Sequence, residues 1–258
     1  MKILAIIGSP HRGETYQAVQ MVEEKLKSLG EVDFEYLWLK DANLKDCTGC
    51  HVCIKQGEEK CPLKDDTAVI EQKIMEADGI IWASPVYVLS VSALMKKLFD
   101  HFAYMWHRPR FFGKYVMALA SGGGQFKETF DIIKLNSVSL GMNFVNSLGV
   151  PHFESLQPDM QKRVHNDIDK AARTFYRTVA AGKQPSPGLG DLIRFRVWRI
   201  NAIACADTLT RDHRYWMENN LFNRDYYYDV AINPLYKGVA RLMEQVIRLF
   251  LKKVYVGY

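Results

Sequence analysis

The chain opens on a continuous apolar run, Lys2-Ile3-Leu4-Ala5-Ile6-Ile7-Gly8, and this run restricts the fold more than any other stretch. A strand with one wet face alternates apolar and polar residues, whereas an unbroken run suits a strand buried on both faces of a parallel sheet. Parallel strands need crossover helices to join them. The sequence supplies one at once, with Val19, Val22, Leu26 and Leu29 at helical spacing. The alternation then continues: a strand over 33–39, a helix around 66–77, a strand over 79–83, a helix over 91–104 and a strand over 114–120. A helix near 126–140 leads to a last strand near 143–150. Five strands separated by helices predict an α/β fold, a doubly wound five-stranded parallel sheet with helices on both faces.

A closing helix is expected over 159–181, where Val164, Ile168, Ala171, Phe175 and Val179 form one apolar stripe. The stretch 184–190, rich in Pro and Gly, reads as a linker. Beyond it the composition changes to arginine and aromatics, as in Arg194-Phe195-Arg196-Val197-Trp198-Arg199 and Tyr226-Tyr227-Tyr228. That tail is too apolar to stay disordered, and 236–254 has the pattern of an amphipathic helix. The expected organisation is a sheet domain over 1–183, with a cysteine loop at 47–61, and a mainly helical C-terminal extension over 184–258.

Three loops fall at the carboxyl edge of the expected sheet, where open α/β sheets bind ligands. The first, Gly8 to Thr15, joins a strand to a helix start and contains Ser9, Arg12, Gly13 and Thr15. Backbone N–H groups at a helix start, with a cation nearby, suit a phosphate, although Ser9 and Thr15 also suit plain helix caps. The loop lacks both the Gly-x-Gly-x-x-Gly fingerprint and the Gly-Lys-Ser/Thr ending, so FMN fits it better than a dinucleotide or a nucleoside triphosphate. The second loop, Ser84-Pro85-Val86-Tyr87, offers a surface for a flat ring. The third, Ser121-Gly122-Gly123-Gly124, lets the backbone come close to a ligand.

Four of the five cysteines lie at Cys47, Cys50, Cys53 and Cys61. Three thiolates one short turn apart, with a fourth nearby, match iron–sulfur ligation. The same sulfur set also suits zinc; disulfides are a weaker third reading, and redox-active or inert thiols make up the remainder. His51 lies among them and is expected beside a metal rather than on it. Cys205 reads as a small buried apolar residue.

Taken together, Gly8-Ser9-Pro10 with Arg12 and Thr15, the four-cysteine loop followed by Asp65-Asp66, and Ala77-Asp78-Gly79-Ile80-Ile81 leading to Ser84-Pro85-Val86-Tyr87 form a recognisable set. With Ser90 to Lys96, Gly113-Lys114 and Ser121 to Gly124, the chain resembles the iron–sulfur flavoproteins of the flavodoxin-like NAD(P)H-dependent FMN reductase superfamily. The resemblance implies FMN held by the three loops and a [4Fe–4S] cluster on Cys47, Cys50, Cys53 and Cys61. It also implies a homodimer or homotetramer. Two positions depart from the pattern: Glu14 stands where asparagine is common, and His101 where arginine is common. A carboxylate beside a phosphate is unfavourable unless it turns away.

The formal net charge of +5 comes with interleaved acidic residues and no recognition module, which argues against nucleic acid. No apolar stretch reaches the length of a membrane span and no signal-peptide pattern opens the chain, so the expected compartment is the cytoplasm, where thiols stay reduced. The basic, apolar helix of the tail suits either protein packing or peripheral contact with an anionic membrane, and packing is favoured. The expected activity is an oxidoreductase that passes electrons from NAD(P)H or a ferredoxin-like donor, through FMN and the cluster, to a small-molecule acceptor such as a quinone. The alternatives are a non-catalytic electron carrier and a zinc-containing, cluster-free quinone reductase.

Overall fold

The computed structural model describes residues 1–254; the last four positions of the expected tail, 255–258, lie outside the described residues. Along the chain run β1 (Lys2–Ile7), α1 (Glu14–Leu29), β2 (Asp33–Trp38), the one-turn α2 (Val52–Lys55), α3 (Thr67–Glu76) and β3 (Gly79–Pro85). There follow α4 (Ala93–His101), α5 (Ala103–His107), β4 (Tyr115–Gly122), α6 (Lys127–Ser139), β5 (Asn143–Pro151) and α7 (Pro158–Ala181). The extension holds α8 (Leu189–Ala204), α9 (Thr210–Glu218) and α10 (Pro234–Val254). All five strands are parallel, in the order β2-β1-β3-β4-β5, the flavodoxin-like arrangement. The chain reverses direction across the sheet between β1 and β3, which fixes the switch point there.

The apolar run of β1 is buried on both sides, as its composition requires. Ile3, Ala5 and Ile7 pack with Val19, Val22 and Leu26 of α1 and with Val164, Ile168, Phe175 and Val179 of α7. Leu4 and Ile6 point to the other face by strand alternation and are equally buried. Trp82 of β3 sits 5.3 Å from the Phe99 ring of α4, edge to face. The sheet is therefore doubly wound, and the stripe expected on 159–181 lies on α7 as buried core.

The helix expected over 91–104 is two helices. Ser92 caps α4, its Oγ accepting the Met95 N–H at 3.2 Å. Phe102 leaves helical geometry at φ −87° and ψ 12°. Its fully buried ring packs on Phe111, centroids 6.0 Å apart, and this tertiary anchor sets the break that periodicity does not show.

The chain divides into two compact units. The first comprises Met1–Thr48, Leu63–Met105 and Pro109–Lys183 and contains the sheet. The second gathers Gly49–Pro62, Trp106–Arg108 and the residues from Gln184 onward. Its core is Phe195, Ala202, Trp216 and Leu221, with Trp198, Tyr215, Tyr226 and Tyr227 packed around them. Among the described residues no helix is long and apolar enough to cross a membrane.

Phe175 is fully buried, and its ring would lie 2.8 Å from a Cβ placed on Gly79. Phe175→Ala is expected to cost about 3–5 kcal/mol, the range for deleting a buried aromatic ring. Chemical denaturation followed by tryptophan fluorescence measures it; a loss under about 1 kcal/mol would place Phe175 outside the cooperative core.

Candidate functional site at the carboxyl edge of the sheet

The last residues of parallel strands leave backbone polar groups that no further strand residue can satisfy. Here neighbouring loops satisfy them. The Gly8 N–H donates to the Ala83 carbonyl at 2.8 Å and the Val86 N–H to the Ser121 carbonyl at 2.8 Å. Ser92 Oγ donates to the Gly8 carbonyl at 2.6 Å, and the Ser92 N–H donates to Ser84 Oγ at 2.9 Å. Thr15 Oγ1 and Ser121 Oγ share a hydrogen bond of 2.6 Å across 106 residues of sequence. The three loops that the sequence singles out are thus stitched into one rim. Ser9, Thr15, Ser84 and Ser121 are all buried, and Pro85 with them. Val86, Gly13, Gly122 and Gly124 are half-buried, while Gly123, Arg12 and Tyr87 face solvent.

The hydroxyls of Ser9 and Thr15 do not cap α1. Gly13 occupies the cap position and no side chain closes the helix start. Ser9 Oγ instead donates to the His11 carbonyl at 2.8 Å. The start of a 16-residue helix consequently keeps N–H donors and the positive dipole end available to an anion. Glu14, the residue that would repel one, pairs with His152 Nδ1 at 2.7 Å. Arg12 lies over the rings of Tyr16 and Trp38, 5.8 and 5.7 Å from their centroids, and among the described residues no carboxylate pairs with it.

Two features of this edge escape sequence reasoning. His152, at the end of β5, lies with Nε2 3.6 Å from where a Cβ on Gly123 would stand, so it borders the third loop. Only its position just past the last strand hints at this. The second feature is a tight turn after Tyr87. The Tyr87 N–H donates to the Ser90 carbonyl at 3.1 Å and the Ser90 N–H donates back at 3.0 Å. Between them Val88 and Leu89 both take left-handed backbone, φ 50° and 58°. This is a turn that asparagine and glycine normally make, and a β-branched residue there stores strain of about 1–3 kcal/mol. Val88 is 98% exposed, so burial offers no compensation.

The cysteine loop lies between β2 and α3. Its neck is tied twice: the Asn43 N–H donates to Asp66 Oδ2 at 2.7 Å, and the Asp66 N–H returns to the Asn43 carbonyl at 3.1 Å. Asp65, whose side chain is 3% exposed, accepts from the Lys45 N–H at 3.1 Å and from both the N–H and the hydroxyl of Thr67, at 3.1 and 2.7 Å. His101 Nε2 lies 2.6 Å from the Lys45 carbonyl and 3.4 Å from Asp65, so this side chain helps to close the neck. Past the neck Gly49 and His51 take left-handed backbone before α2. Cys47 and Cys50 are exposed, Cys53 and Cys61 half-buried. Among the described residues no three His, Cys, Asp or Glu side chains stand together as a metal-binding group. The donor type itself, four soft cysteine sulfurs, is one that an iron–sulfur cluster or zinc takes.

Burial acts to raise the Asp65 pKa, but the hydrogen bonds from Thr67 and Lys45 outweigh it and hold the carboxyl below its ordinary value. A lowered pKa contributes stability that is complete above the ordinary carboxylate value and is lost as pH falls through the folded value. Asp65→Asn is expected to cost about 1–3 kcal/mol near neutral pH, the penalty for breaking a buried charged acceptor's bonds. The gap between the two proteins should close as pH falls through that lowered pKa. A gap that stays constant down to acid pH would show that the neck does not depend on the carboxylate charge.

Comparison with known proteins bears on the family and the fold. The sequence pattern of the family described as NADPH-dependent FMN reductase matches residues 1–153. An iron–sulfur flavoprotein of Methanocaldococcus jannaschii is 43% identical over 103 residues, which cover 39% of this chain and 51% of that protein. One of Clostridioides difficile is 27% identical over 206 residues, 79% of this chain and 89% of its own. The crystal structure of RosB with the bound intermediate 8-demethyl-8-formylriboflavin-5'-phosphate superposes with a TM-score of 0.55 at 14% identity, over 91% of this chain and 92% of that one, a likeness of fold. The chain spans about half the length of the archaeal relatives it matches. Because the family pattern covers more than half of its residues, the chain belongs to the NADPH-dependent FMN reductase family.

Proposed function

We propose that the protein is an FMN-dependent oxidoreductase, taking electrons from NAD(P)H or a ferredoxin-like donor and delivering them to a small acceptor such as a quinone. The observation that carries this reading is the stitched rim at the switch point, built around an uncapped helix start. Ser9, Arg12, Gly13 and Thr15 are the residues assigned to the flavin phosphate. Ser84, Pro85, Val86 and Tyr87, together with Ser121, Gly122, Gly123 and Gly124, are the residues that would hold the flavin ring. Cys47, Cys50, Cys53 and Cys61 are assigned to a [4Fe–4S] cluster, with zinc as the competing metal. Bound FMN supplies conversion between two-electron and one-electron transfer, and a cluster supplies a one-electron store. The chain's own part is to hold and shield: the Thr15–Ser121 bond fixes two loops at one spacing, and Glu14 is kept from the phosphate by His152. A reducing compartment such as the cytoplasm suits the exposed thiols of Cys47 and Cys50.

The protein is further proposed to work as a homodimer or homotetramer joined through α10. Leu235, Leu242, Val246, Leu249 and Phe250 are between 51% and 70% exposed on that helix, and large apolar side chains grouped on one helix suit an interface.

Arg12→Ala is expected to weaken FMN binding by about 1.5–3 kcal/mol, the worth of a hydrogen bond to a charged group, as read by fluorescence titration. Unchanged affinity would remove Arg12 from the site. Anaerobically purified protein should carry iron and acid-labile sulfide and should bleach its flavin with NADH or NADPH. Stoichiometric zinc without iron favours the cluster-free reductase, and a flavin that pyridine nucleotides never reduce favours a carrier. Leu242→Glu together with Leu249→Glu should shift the protein toward monomer in light scattering. Co-sedimentation of the wild type with anionic liposomes, without any change in assembly between the two proteins, would assign the face to a membrane instead.

A further inference from the structure

The second unit is built around one fully buried cation. Arg108 has 0% exposed surface. Its Nη2 donates to the Cys53 carbonyl at 2.7 Å and to Glu58 at 3.0 Å, and its Nη1 donates to the Ile54 carbonyl at 3.2 Å and to Asp212 of α9. Asp212 is 2% exposed and also meets His107 Nδ1 at 2.7 Å, while the His107 ring lies 4.2 Å from that of Trp198 in α8. Three stretches far apart in sequence, the cysteine loop, Trp106–Arg108 and the C-terminal extension, therefore meet at one guanidinium.

The physical need for this arrangement is local. α2 is a single turn of four residues, too short to persist by itself. Its closing bonds run to the His51 and Val52 carbonyls, and those of Cys53 and Ile54 lie at the helix end, where carbonyls take donors from outside the helix. Arg108 takes both, supplying with one planar fork what further helical turns would have supplied. A buried guanidinium is tolerated only when its charge is matched, and Glu58 and Asp212 match it from two sides. The extension thus contributes the carboxylate that allows Arg108 to remain buried against the loop.

We propose that Arg108 and Asp212 are positioning residues for Cys53: through them the C-terminal extension locks the cysteine loop and sets the charge around the thiolates. The inference rests on the assignment of a metal centre to those cysteines, yet the locking of the loop is testable apart from it. Asp212→Asn keeps the shape of the side chain and removes its charge. In the full-length, FMN-loaded protein without added iron, amide hydrogen exchange over 49–62 should accelerate by about tenfold or more in the variant, with β1, β3 and β4 unchanged, because local opening follows local stability. After anaerobic reconstitution with ferrous iron and sulfide, the midpoint potential of the iron–sulfur signal should rise, since a negative charge has left its surroundings and the added electron is held more tightly.

Glu58→Gln, which weakens the other side of the same cation, should move exchange and potential in the same directions by smaller amounts, and it serves if Asp212→Asn does not fold. Exchange over 49–62 that matches wild type in both variants overturns the proposal, whatever the potential does. If wild-type protein takes up no iron, the metal assignment fails while the exchange comparison still decides whether Arg108 and Asp212 lock the loop.

Discussion

Strand ends in a parallel sheet present carbonyl and N–H groups that must find partners outside the ladder, and the first unit is organised by how those partners are supplied. Small hydroxyl residues do most of it: Ser92 reaches Gly8, Ser84 accepts from Ser92, and Thr15 meets Ser121. Each is buried, so each bond is made at a spacing that solvent does not relax. The glycine at position 8 is part of the same solution, since a Cβ there would stand 2.8 Å from Ser92 Oγ and 3.2 Å from the Met95 Cβ. A larger residue would push α4 away and open the rim. The loops converge because satisfying the strand ends leaves them little freedom to do otherwise.

The same edge sorts its charges. The helix start of α1 keeps its donors, Arg12 rests on an aromatic platform of Tyr16 and Trp38, and the single carboxylate within the first loop is drawn to His152. An anion approaching Ser9 to Thr15 therefore meets a positive dipole end and a cation held by ring faces, with the repelling group already engaged elsewhere. The charge of Glu14 is matched by a residue 138 positions away rather than from within the loop.

How much of this was legible in the sequence follows from the range of each interaction. Strands buried on both faces announce themselves as unbroken apolar runs, so β1, β3 and β4 and the order of elements were readable from local composition. The three loops were readable because glycine, proline and hydroxyl residues cluster where strands end. The break at Phe102 was not, since a ring packed on Phe111 decides it against a helical pattern that runs straight through. Val88 and Leu89 give no warning of left-handed backbone, because their types argue for the opposite. His152 beside Gly123 and Asp212 beside Arg108 are contacts across the fold, and no periodicity carries them. The site's frame was thus local and legible, while its electrostatic partners were distant and hidden.

The extension inverts the usual arrangement of an amphipathic helix, and this explains what its composition is for. On α10 the one carboxylate, Glu244, is buried, bonded by Arg196 at 3.1 Å, by Arg199 and by Arg248 at 3.2 Å. Burial acts to raise its pKa, but these arginines outweigh it and hold the group ionised below its ordinary range. Nearby Asp225, where the pull of Lys237, Arg196 and Arg241 overcomes burial, is brought down to about 2. Ion pairs therefore fasten α8 to α10 on the inside, and the leucines and Phe250 are left on the outside. Had the helix been held by its apolar residues in the ordinary way, no such face would remain. Using charge for internal attachment leaves apolar area exposed, at the cost of burying ions that stay put only while every one is matched.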